Sequence, residues 1–141
     1  MKILTKDKIM DILISDNIVC YPVIVDDEYA CPTKDWLLTD CAEYVKSELL
    51  RHTIAGWKKS FDCDDYSIAY KHYSSVCHTI TAPNIQGLAV GMAHKWTKNR
   101  TAHAFNFAIV ENEKLVFIEP QTGKIIDLSV DEKLAIYHVY I

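Results

Sequence analysis

The last forty or so residues constrain the fold most, because apolar residues recur there at every second position between short turn signals. His103 to Val110, Leu115 to Glu119, Lys124 to Leu128 and Leu134 to Ile141 read as antiparallel strands. Glu111-Asn112-Glu113 and Thr122-Gly123 separate them as turns. Upstream the spacing is helical. Ile9, Ile12 and Leu13 predict a short helix over 6–15, and Thr33 is placed to cap a helix from about Lys34 to Arg51. Trp36, Leu37, Ala42, Val45 and Leu49 form the expected inner stripe of that helix. Asp62 opens a further helix to about His78, with Asp64 and Asp65 in the first turn, where negative charge suits the helix dipole. Ile18 to Val25 reads as extended and, with Pro22, as an edge, and Tyr29 to Thr33 reads as a turn. Pro83, Asn84, Gly87 and Gly91 break the chain before Gly87 to Met92 begins the sheet. Helices first and sheet afterwards imply an α+β domain spanning residues 1–141.

Composition excludes several classes. A chain of 141 residues with 50% hydrophobic residues supports one sizeable core. It has no apolar stretch of about eighteen residues, and the N-terminus becomes charged too early for a signal peptide, so a cytoplasmic protein is expected. The net charge of −4, with scattered basic residues, gives no phosphate-binding stripe, so neither nucleic acid nor membrane is an expected partner. Five cysteines without C-x-x-C spacing argue against structural zinc or a disulfide framework. Cys20, Cys41 and Cys77 lie among apolar neighbours and read as small buried hydrophobes.

Cys63 differs, because Asp62, Asp64 and Asp65 surround it. His103 follows in His103-Ala104-Phe105-Asn106 and Glu119 in Ile118-Glu119-Pro120-Gln121. A thiol at a helix start, an imidazole on a strand and a carboxylate on the next strand are the parts of a thiol-based acyl-transfer site. Free N–H groups at the helix start favour a thiolate, while the flanking aspartates oppose it unless they cap the helix or a cation neutralises them. That conflict makes calcium the candidate cofactor. Alternation puts His103 with Phe105, Phe107 and Ile109 on one strand face. Glu119 joins that face only if the hairpin loop holds an odd number of residues. Among the other histidines, His94 is the stronger rival for the base, and His52 and His138 read as surface residues.

These segments, with Asp26-Asp27-Glu28-Tyr29 and Phe61-Asp62-Cys63-Asp64-Asp65-Tyr66, resemble the papain-like protease domain of the Marasmius oreades agglutinin type over roughly residues 26–141. The resemblance implies a papain-like or transglutaminase-like cysteine peptidase fold and a calcium-dependent Cys-His-Glu triad on Cys63, His103 and Glu119. It also implies oxyanion support from Gln121 and Trp57, calcium ligands at Asp64 and Asp65, and a protein or peptide substrate. The chain lacks the β-trefoil of that agglutinin, so no lectin activity is carried over. Two alternatives stand beside the peptidase: a silent phage-type protein-binding or inhibitory module, and a transglutaminase-like acyl transferase.

Overall fold

The computed structural model describes residues 1–82 and 86–141; the breaks expected at Pro83 and Asn84 lie outside the described residues. The chain opens with β1 (Lys2–Thr5) and α1 (Lys6–Ser15), which Thr5 caps. Next come β2 (Glu28–Cys31) and α2 (Lys34–Trp36). A π-helical stretch, Leu37–Cys41, joins α2 to α3 (Ala42–Arg51), so the helix expected over 34–51 is present with one widened turn. Helix α4 (Cys63–Thr81) runs one turn longer than its spacing indicates. Then follow β3 (Gly87–Leu88), β4 (Val90–Trp96), β5 (Ala102–Ile109), β6 (Leu115–Glu119) and β7 (Lys124–Ile126). The chain ends with α5 (Val130–Leu134) and β8 (Ile136–Tyr140).

Two sheets result. Strand β1 pairs antiparallel with β2, and β2 pairs parallel with β3. The larger sheet is antiparallel in the order β7-β6-β5-β4-β8. Its central strand β5 is buried on both faces and divides the core. Phe105, Phe107 and Ile109 pack with Ile9 and Leu13 of α1, whereas Ala108 and Val110 pack with Val45, Tyr66 and Tyr70 of α3 and α4. The α+β reading therefore holds as a mixed fold with a five-stranded antiparallel sheet.

Three sequence expectations need correction. Tyr29 to Cys31 is strand rather than turn, because β1 supplies a ladder partner that no local pattern reveals. Ile18 to Val25 contributes only a bridge from Val23 to Tyr140. The final strand is shorter than expected because Ser129 and Glu132 form a reciprocal cap that starts α5. In the long helix, Leu37, Cys41, Val45 and Leu49 are the buried stripe, and Trp36 and Ala42 stand at its margin. Of the three cysteines expected to be buried, Cys41 and Cys77 are, and Cys20 is half-buried.

Candidate functional site

Helix α4 is tied to the sheet by polar contacts that set its height. Ser67 Oγ donates to the carbonyl of Phe105 at 3.2 Å, and Asn106 Nδ2 donates to the carbonyl of Ser67 at 3.0 Å. Further along, Lys71 Nζ reaches the carbonyl of Val90, which is paired with Ala108. Helix and strand thus advance together. Cys63 is one turn before Ser67, about 6 Å back along the helix, and His103 is two residues before Phe105, about 6.6 Å back along β5. The first turn of α4 therefore stands at the end of the sheet where β5 begins. There Cys63 is half-buried and Asp64 exposed.

His103 and Glu119 meet at this end. Val110 and Lys114 extend the β5–β6 pairing through a backbone hydrogen bond, so the loop between them holds three residues, Glu111 to Glu113, with Glu113 in the left-handed region at φ 62°. The odd loop puts both side chains on one face, and His103 Nε2 lies 3.4 Å from Glu119 Oε2. His103 stacks on Phe105 with ring centroids 6.1 Å apart. The other Glu119 oxygen accepts from the N–H of Gln121 at 3.4 Å. The His103 contact holds the Glu119 carboxyl below its ordinary range, against the opposing effect of burial. Among the described residues, no hydrogen bond joins the Cys63 thiol to either His103 or His94.

The Glu119 shift has a testable sign. A carboxyl with a depressed folded-state pKa contributes stability above its unfolded value, about 4.3, and loses it as pH falls through the folded value. Glu119→Gln should therefore flatten the acid limb of stability below about pH 5. Melting temperatures of both proteins between pH 3 and 7 check this; parallel acid limbs would remove Glu119 from the linkage.

The aspartates divide their work. Asp65 Oδ2 accepts from the N–H of Asp62 at 3.2 Å, so it serves the helix start. Asp62, Cys63 and Asp64 gather their donor atoms within 4.8 Å of one another. The closeness of the two carboxyls raises that of Asp62 and lowers that of Asp64. Of the two residues expected to hold calcium, Asp64 belongs to this cluster and Asp65 does not.

Trp57 and Gln121 lie by a separate feature. A cleft of about 400 Å³ opens between α3 and the turn after β6. Val45, Leu49, Tyr66 and Tyr70 give it an apolar side, and Glu43, Lys46, Gln121 and Thr122 a polar one. Trp57 follows the lining residue Gly56 and is 59% exposed. No local pattern signals this cleft, since its walls come from segments about seventy residues apart. The sequence reading also missed a pair of imidazoles, His94 and His138, directly opposite one another on β4 and β8.

The agglutinin C-terminal family matches residues 42–125, more than half of the chain and most of the segments that build both features. The chain belongs to the agglutinin C-terminal family. No curated protein matches it. Among solved structures, the "PSL1a-E64 complex" aligns over 99% of this chain and 51% of its own, with a TM-score of 0.72 and 20% identity. Polyporus squamosus lectin "bound to human-type influenza-binding epitope Neu5Aca2-6Galb1-4GlcNAc" aligns over 99% of this chain and 49% of its own, with a TM-score of 0.75 and 21% identity. These likenesses establish a shared fold, and the chain spans about half the length of each structure.

Family membership corrects the functional expectation. The family is that of an agglutinin and the fold is shared with a lectin, so the thiol hydrolase reading, its peptide substrate and its protease vocabulary are set aside. The silent protein-binding module and the acyl transferase go with them. Two polar groups remain near this end of the sheet: the His103–Glu119 pair and the Asp62–Cys63–Asp64 group at the start of α4. Among the described residues, no helix is long and apolar enough to cross a membrane.

Proposed function

We propose that this chain is a carbohydrate-binding domain whose sugar site is the cleft between α3 and the turn after β6. Membership of an agglutinin family is the observation that carries this reading, and the cleft supplies the location. A sugar ring presents C–H patches on its faces and hydroxyls around its rim. It therefore needs an apolar or aromatic surface flanked by side chains that can both donate and accept. Tyr66 and Leu49 offer the first, with the exposed indole of Trp57 one residue beyond the lining Gly56, and Gln121, Thr122 and Glu43 offer the second. Lys46 adds a cation suited to an acidic sugar, so the sialylated glycan named for the Polyporus squamosus lectin is the natural first ligand.

Two finer points belong to the same proposal. The papain-like or transglutaminase-like arrangement, with α4 presenting its first turn at the end of the sheet, serves here as a scaffold. Calcium, if taken up, would be held by the carboxylate oxygens of Asp62 and Asp64, since a hard cation favours such ligands.

Titration calorimetry with Neu5Ac-α2,6-Gal-β1,4-GlcNAc and with neutral oligosaccharides tests the reading. Trp57→Ala and Gln121→Ala should each weaken binding about tenfold, equivalent to roughly 1.4 kcal/mol. Absence of binding at millimolar glycan, or affinity indifferent to both substitutions, would overturn it.

A further inference from the structure

Strands β4 and β8 hold His94 and His138 in direct register, and their Nδ1 atoms lie 3.1 Å apart. Immediately after His94 the register shifts, leaving Tyr137 as the extra residue between His138 and Ile136. Such a bulge turns the side chains beside it. Tyr137 stacks on Trp96 with centroids 4.6 Å apart, which walls one side of the imidazole pair. Both imidazoles are half-buried.

We propose that His94 and His138 form a two-imidazole chelate for a borderline transition-metal ion of the Zn²⁺ or Ni²⁺ class, bound through both Nδ1 atoms. The geometry decides for this. With metal–nitrogen bonds near 2.0–2.1 Å, ligands at a right angle sit about 2.9 Å apart and ligands at a tetrahedral angle about 3.3 Å apart. The observed 3.1 Å lies between them, so the rings need little movement to close on an ion. Without metal, one Nδ1–H donates to the other Nδ1. On binding, that ring moves its proton to Nε2, and each Nδ1 lone pair enters the coordination shell with no net proton released. The negative charge of Asp64 lies within electrostatic reach of His94, which favours a cation over an anion here. The remaining positions on the ion fall to water.

The imidazole pair does not line the sugar cleft, and Asp64 is its nearest carboxylate neighbour. Its test uses ¹⁵N-histidine NMR of the full chain carrying Cys63→Ser, titrated with ZnCl₂ and separately with CaCl₂ at pH 7.5. Zinc should move the Nδ1 resonances of two histidines together at one equivalent, and calcium should leave them in place. By calorimetry, His94→Ala and His138→Ala should each lower zinc affinity tenfold or more, about what loss of even an outer-shell partner costs a metal site. His103→Ala should keep the affinity within about threefold, since its ring belongs to the Glu119 pair. Unmoved Nδ1 resonances, zinc affinity retained without both His94 and His138, or abolition by His103→Ala alone would each overturn the proposal.

Discussion

Gly91→Ala is expected to destabilise the protein by about 3 kcal/mol or more and lower its melting temperature by roughly 10 °C. Gly91 lies within β4, paired with Phe107 of β5, and is buried between β5 and β8. A methyl group there would sit 2.4 Å from the tip of the Phe107 ring and 2.5 Å from the carbonyl oxygen of Tyr140. The ring belongs to the α1-side core and is 1% exposed, so it has no free space to enter. The carbonyl is backbone of the neighbouring strand, so it moves only if β8 moves. Overpacking from two sides is therefore relieved only by separating strands. A second substitution apportions the strain. Phe107→Leu in the Gly91→Ala background should cost less than it does alone, because the shorter side chain vacates one of the two contacts. Thermal melts of the four proteins give the coupling. A Gly91→Ala variant melting within about 2 °C of the parent would show that this strand pairing is looser than described.

Much of the sheet was legible because its information is local. The β5–β6 register follows from alternation and a three-residue loop, and both are written in consecutive residues from His103 to Glu119. Thr33 and Asp62 announced their helices for the same reason, since a cap acts within one turn. What stayed hidden depends on partners distant in the chain. Lys2–Thr5 is too short to show a period, and Tyr29 to Cys31 lacks alternation because all three residues are buried. Only their pairing with each other makes them strands. The Ser129 and Glu132 cap is a local Ser-x-x-Glu signature, and it ends the strand pattern by starting a short helix. At the site, the meeting of His103 with Glu119 was legible and the pairing of His94 with His138 was not, since β4 and β8 are joined through four intervening elements. Function was the least legible layer. Residue types at a helix start and strand ends define a reactive-looking cluster, yet the same donors serve equally to hold a proton, a cation or a hydroxyl group.

Asn106→Asp should show how firmly α4 is fastened above that cluster, because one buried amide spans three elements. Its Nδ2 donates to the carbonyl of Ser67 on α4 and to the carbonyl of Gly91 on β4, each at 3.0 Å, and the side chain is fully buried on β5. An ionised aspartate has no hydrogen to give and would direct negative charge at two carbonyl oxygens. The expected cost at pH 7 is about 3–5 kcal/mol, as for a buried charge left without a partner. A protonated aspartic acid still donates one hydrogen bond, so the folded state favours that form and raises the carboxyl pKa above its unfolded value of about 3.9. The folded variant then binds more protons than the unfolded chain. Its stability falls as pH rises from about 4 through the raised value and levels off beyond it. The parent should move the opposite way over the acid part of this range, because Glu119 has a lowered carboxyl and gains stability as it ionises. The difference between the two melting curves should therefore widen steadily from about pH 4 towards neutrality. Asn106→Leu separates charge from shape, since it loses the same two hydrogen bonds without a titratable group and should give a nearly pH-independent offset. Parallel curves for Asn106→Asp and the parent between pH 4 and 7 would mean that water reaches position 106 and that α4 is not held by this amide.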